Sequence, residues 1–211
     1  DVSGTDSTAQ HNASYGYEAT DAITTGDNNT AMGSAALSAN TTGAGNAAFG
    51  RAALKLNVDT ANNTAVGFNA LENNVAANNV AVGYSAGNAN TTGTRNIAIG
   101  YQAYDASDTE NDNLAIGYNA MTTNTAGGTL NVAVGNYAMD ALTSGDGNVA
   151  VGYEALSAVT EGGTNTAIGH QAMLLTTTGD GNTGIGNHAL ENNTTGGSNV
   201  AVGRYALESN T

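Results

Sequence analysis

Cysteine, proline and tryptophan are absent from this 211-residue chain, and lysine and arginine together number four. Without cysteine there are no disulfide staples. A repeat chain that stabilises itself along its length needs none, so the redox compartment stays open. Arg51, Lys55, Arg95 and Arg204 face eighteen acids, a net charge of -14. So acidic a chain repels phosphate, and nucleic acid is excluded as a partner. No apolar run approaches the length of a membrane-spanning helix, so no membrane insertion is expected. His11, His170 and His188 have no recurring acidic or cysteine neighbours. Neither a metal site nor a catalytic triad is supported, and the chain is read as a non-enzyme. It opens at Asp1 without Met, which points to processing or to a piece of something larger.

What the chain has instead is glycine at a nearly constant interval. Gly16, Gly33, Gly50, Gly67, Gly83, Gly100, Gly117, Gly135, Gly152, Gly169, Gly186 and Gly203 recur every 17 residues, with one step of 16 and one of 18. So short and regular a period is the signature of a solenoid whose coils are each one small supersecondary unit. The fold expected is all-β, a parallel β-roll of about twelve 17-residue coils over residues 12–211, preceded by a lead segment, 1–11. At a strand spacing of about 4.8 Å, twelve coils would make a rod roughly 55 to 60 Å long.

Counting from each repeat glycine, position -4 is always Asn and position +3 always Ala, while position -2 is Ala except for Ser14 and Gly184. Side chains alternate across a strand, so Asn, Ala and Gly share one small face, and positions -3 and -1 share a bulky one. The small face lets two short strands of one coil approach closely, with the asparagines stacked as a ladder. The bulky row includes Val66, Val82, Ile99, Ile116, Val134, Val151, Ile168, Ile185 and Val202 at position -1. Burying each such side chain is worth roughly 1.5 to 3 kcal/mol, so an exposed stripe of them implies a partner surface. Three identical rolls about an axis would cover it, making these residues the trimer interface. The competing reading puts the row inside a wider single-chain coil.

The strings Asn79-Val-Ala-Val-Gly83, Asn96-Ile-Ala-Ile-Gly100 and Asn148-Val-Ala-Val-Gly152 resemble the head repeat of YadA-type trimeric autotransporter adhesins. The unit from Gly186 to Gly203, with its Asn193-Thr-Thr-Gly196 spacer, is similar to repeats of phage tail fibres and tail-fibre-like bacterial surface proteins. The resemblance covers residues 12–211 and implies a left-handed, homotrimeric roll on a virion or cell surface. The adhesin head repeat is shorter, and the extra residues here fall in the spacer. No stalk heptads, membrane barrel or self-cleaving chaperone segment accompanies the repeats.

Between Ala at +3 and the next Asn lies a polar spacer, and its glycines and asparagines mark turns with positive backbone angles. Asp27, Asp146 and Asp180 recur there as candidate calcium ligands, although calcium takes six to eight oxygens and these are single acids. Position +1 carries Tyr17, Phe68, Tyr84, Tyr101, Tyr118 and Tyr153. Facing outward, Tyr84, Tyr101, Tyr118 and Tyr153 are candidate ligand-stacking residues for a sugar; facing a neighbouring chain, they pack. Glycosylation acceptors at Asn40, Asn62, Asn90 and Asn193 arise from a composition rich in Asn and Thr. The function expected is an extracellular structural or adhesive rod that presents its spacer edge to a receptor or polysaccharide. The alternatives are a subunit of a self-assembling filament and an ice-binding solenoid. The ice-binding class needs a flat Thr ladder, whereas the threonines are read as lying mostly in irregular spacers.

Overall fold

The computed structural model describes residues 8–107, 109–124 and 127–210. It divides into two compact units, Asp1–Thr109 and Glu110–Thr211. In each repeat, positions -3 to -1 form a three-residue strand, far too short to persist alone and held by hydrogen bonds to adjacent coils. In the first unit these are β1 (Ala13–Tyr15), β2 (Thr30–Met32), β3 (Ala47–Phe49), β4 (Thr64–Val66), β5 (Val80–Val82) and β6 (Ile97–Ile99). The second unit carries β7 (Leu114–Ile116), β8 (Val132–Val134), β9 (Val149–Val151), β10 (Thr166–Ile168), β11 (Thr183–Ile185) and β12 (Val200–Val202). Within each unit every strand pairs in parallel with the next, one repeat on, as in Val66↔Val82 and Val134↔Val151. Each unit is therefore an all-β, parallel β-solenoid, the class expected from the glycine period.

The small face does line the interior. Ala48, Ala65, Ala81, Ala133 and Ala150 at position -2 are fully buried, and so are the +3 alanines from Ala36 to Ala189. The asparagine ladder forms as expected. The backbone N–H of Asn46 donates to Asn29 Oδ1, and that of Asn63 to Asn46 Oδ1, both at 2.9 Å. Carboxamides of this row also brace their own coils, as Asn29 Nδ2 does in donating to the Gly43 carbonyl at 2.9 Å. In the second unit Asn165 Nδ2 donates as well to Asn148 Oδ1, at 3.2 Å. No buried amide of this row is left to solvent, so the ladder links coils without the cost of unpaired polar groups.

The opposite wall departs from expectation, because it is not a second strand. Positions +2 and +4 are left-handed, as at Ala52 (φ 57) and Leu54 (φ 52), or Glu154 and Leu156 (both φ 52). Non-glycine residues rarely adopt this conformation, and alternating it with ordinary angles destroys the pleat. The wall is nonetheless bonded coil to coil. Ala52 N–H donates to the Ser34 carbonyl of the coil before at 2.9 Å, and Leu54 N–H to the Ala70 carbonyl of the coil after at 3.1 Å. It contributes the bulk of the core, for Leu37, Leu54, Leu71, Met121, Met139, Leu156, Met173 and Leu190 at position +4 are all but completely buried. A second polar row runs inside at position +7, where Asn40, Asn57, Asn74 and Asn90 are buried and fold onto their own turns. Asn40 and Asn90 thus sit inside the roll, as does Asn193, which removes these three glycosylation acceptors from the surface.

The repeat glycine is the corner between the two walls. Gly16 has φ +139, and a Cβ on it would lie 2.5 Å from the carbonyl oxygen of Gly33 in the next coil. No side chain fits where one coil's backbone passes so closely over another's. The spacer absorbs variation in coil length. In the 16-residue coil, Asn63 Nδ2 donates to the Ala76 carbonyl at 2.8 Å, as Asn46 Nδ2 does to that of Thr60, in place of the turn glycine used in coils such as that of Asn29. Threonines in the spacer prove more regular than the sequence reading allows. At position +8, Thr24, Thr41, Thr143, Thr160 and Thr177 each donate both N–H and Oγ1 to the carbonyl one coil on, as Thr143 does to Thr160 at 2.9 and 3.0 Å. The ladder exists, but its hydroxyls are spent within the protein. At the N-terminal side the lead segment is described only from residue 8. There Thr8 and Ala9 N–H groups donate to the Thr24 carbonyl, continuing the same coil-to-coil bonding.

Candidate functional site

Three outward rows are the candidates. The first is the bulky row at position -1. With alanine and leucine filling the roll, these side chains stand outside it, which overturns the reading of a wider coil enclosing them. Val66, Val82, Ile168, Ile185 and Val202 are exposed, and Ile99, Ile116, Val134 and Val151 are half-buried by their neighbours along the sheet. Strand register places each directly over the next, Val66 over Val82 over Ile99, and Val134 over Val151 over Ile168. Each unit therefore carries a registered apolar stripe.

The second row is aromatic and lies just past the glycine corner. In the first unit, Phe68 and Tyr84 stack with ring centroids 5.4 Å apart and planes 5° from parallel, and Tyr84 and Tyr101 at 5.1 Å and 9°. Arg51 caps this stack with its guanidinium 5.1 Å from the Phe68 ring centre, a cation–π contact. In the second unit the ladder runs Tyr118, Tyr137, Tyr153, His170, His188, Tyr205, with successive centroids 5.1 to 6.1 Å apart. The rings face outward, Tyr84 at 47 % exposure and Tyr101, Tyr118 and Tyr153 each at 42 %. These four therefore stand outside the roll, on a face open alike to a ligand and to a neighbouring chain.

Sequence reasoning tracked position +1 alone and missed that Tyr137, His188 and Tyr205, at position +2, join the same column. The left-handed backbone at Tyr137, His188 and Tyr205 (φ 59, 56 and 59) is the reason. It cancels the strand alternation that would send neighbouring side chains to opposite faces. Acids flank the ladder: His188 Nδ1 lies 2.9 Å from Glu191 Oε2, and Gln171 Nε2 donates to Glu154 Oε2 at 2.6 Å. A hydrogen bond from the Tyr153 hydroxyl to Glu154 and the charge of that carboxylate raise the Tyr153 phenol above its ordinary pKa.

The third row is the turn acids, and the structure gives them a local task. Asp27 Oδ1 accepts the Gln10 N–H at 2.6 Å, Asp146 Oδ1 the Thr129 N–H at 2.7 Å, and Asp180 Oδ1 the Gly163 N–H at 2.7 Å. Each carboxylate caps the turn of the coil before it. Among the described residues no three acidic or histidine groups gather where they could share a metal ion. Neither unit encloses a pocket among its described residues, and no helix there is long and apolar enough to cross a membrane.

The fold and these rows define a β-solenoid repeat protein whose exposed side chains are ordered in rows from coil to coil within each unit. No family model, curated protein or solved structure matches the chain.

Proposed function

We propose that the chain is a non-enzymatic extracellular rod, the shaft or head of a homotrimeric surface fibre of the phage tail-fibre or bacterial adhesin kind, borne on a virion or a cell. The carrying observation is the apolar stripe at position -1. The inside of each unit is already full, so the stripe has no interior to enter, and a contiguous water-facing row of Val and Ile is the mark of an association surface. A surface with a bulky apolar residue at every coil suits copies of the same chain. Three left-handed rolls with their stripes turned to a common axis would cover it. The aromatic ladder and the spacer turns would then face outward to a receptor or polysaccharide.

Light scattering on the full chain tests this, with Val82, Ile99, Val134 and Val151 changed to Ser for comparison. The expected result is a mass of three chains that falls to one in the variant. A single-chain mass for the unaltered protein overturns the trimer, an unchanged trimer in the variant overturns the interface, and open-ended polymers replace both with the filament.

A further inference from the structure

We propose that the tyrosine ladder is a site of oxidative cross-linking, where one-electron oxidation joins tyrosines of successive coils through a carbon–carbon bond. The stacked pair Tyr84 and Tyr101 is the principal site, with centroids 5.1 Å apart, planes within 9°, and both rings more than two-fifths exposed. Tyr118 and Tyr137, 5.4 Å apart, form the second. The parallel register that sets one ring over the next also holds each pair at this distance through the lifetime of a radical. Proximity of this kind turns an encounter between two rare radicals into a local event.

The chemistry balances with a peroxide as oxidant and a peroxidase-type catalyst. Each phenol surrenders one electron and one proton, and the two phenoxyl radicals couple at ring carbons ortho to the oxygens. Both coupled carbons then lose their hydrogens as the phenols re-form. The product has two hydrogens fewer than the two tyrosines, and one hydrogen peroxide becomes two waters. Such a bond ties coil to coil in a chain that has no cysteine for the purpose. It would be made after assembly, on the surface, in the oxidising setting of the extracellular rod proposed above, and rests on that reading only for where the oxidant comes from.

The molecule holds its own controls. Tyr104, three residues from Tyr101, is 1 % exposed inside the roll. Tyr205 stacks on His188 and lies under Arg204, and neither neighbour is a tyrosine.

The experiment treats the full native chain with limiting hydrogen peroxide and peroxidase. Dityrosine fluorescence is followed, and cross-linked peptides are mapped by mass after cleavage at acidic residues, at Arg95, which parts Tyr84 from Tyr101, and at Met121, which parts Tyr118 from Tyr137. Expected are Tyr84–Tyr101 and Tyr118–Tyr137 peptides, each two hydrogens light, within single chains on a denaturing gel and with Tyr104 unmodified. Tyr84→Phe should remove the first product and leave the second, and urea-unfolded chain should lose the preference for both. A product pattern the same in folded and unfolded chain, or bonds formed only between chains, overturns the proposal. The mass in solution, read on the same sample, reports separately on the trimer.

Discussion

At the scale of the residue, the core works by exchange between neighbouring coils. Position +4 is Leu or Met in nine of twelve coils, but Gly87 and Tyr104 stand there in successive coils. A Cβ on Gly87 would come 3.0 Å from Leu71 Cδ2, so this coil has no room for the usual side chain. Gly87 N–H donates to the Ala103 carbonyl, which sets the small residue beside the coil that buries Tyr104 completely. The two should be coupled. Gly87→Leu overpacks and is expected to cost about 1 to 3 kcal/mol. Combined with Tyr104→Leu it should cost less than the two changes summed, and a double-mutant cycle of urea midpoints checks this. Additive costs would mean that the two positions do not share space. The same exchange appears elsewhere. Gly184 replaces the consensus Ala where a Cβ would meet Met173 Cγ at 2.8 Å, and Ser14 and Thr20 pair through hydroxyls 3.0 Å apart where other coils oppose Ala and Leu.

At the scale of the element, the left-handed wall at positions +2 to +6 is the unusual part, and it carries a titrating load. Asp140, at position +5, has one carboxylate oxygen buried without a hydrogen-bond partner. Burial pushes its carboxyl above the ordinary carboxylate range, against a lowering contribution from a Ser157 hydrogen bond. The folded chain therefore holds this proton more tightly than the unfolded chain. The stability it contributes is greatest in acid and is lost as pH rises through the shifted value. Asp140→Asn removes the charged form and is expected to raise the urea midpoint at neutral pH. Well below the carboxylate range the two proteins should coincide, and a gain of equal size at both pH values would assign the effect to something other than this charge.

This wall was also the least legible element in the sequence. The strand, the Asn ladder and the outward bulky row could be read because period-2 alternation is a local rule that every repeat obeys. The +4 core row was as regular in Leu and Met, yet its inward direction depends on φ values near 50–59 that no alternation rule supplies. For the same reason Tyr84, Tyr101, Tyr118 and Tyr153 were found as ladder members, while Tyr137 and His188 were not. The turn acids were visible as a recurring pattern. Their caps reach across a whole coil, as Asp146 does to Thr129, and stacking of that kind is absent from any window of the sequence.

At the scale of the whole molecule, hydrogen bonds within each unit run from coil to neighbouring coil, so the stability of a unit is a sum of nearest-neighbour terms. Gly152 has φ +142, and a Cβ there would be driven into the Gly169 carbonyl. Gly152→Ala should therefore act locally. In hydrogen exchange on the full chain, amides of β8, β9 and β10 are expected to lose protection while those of β2 to β5 keep theirs. Uniform loss along the chain would show instead one cooperative unit. The identical corner at each glycine has a genetic consequence as well. A coil's upper and lower surfaces are interchangeable in outline, so in-frame duplication or deletion of one repeat's codons adds or removes a coil that still meets compatible neighbours. The number of coils is thus a trait that recombination between repeats can change without the fold being reinvented.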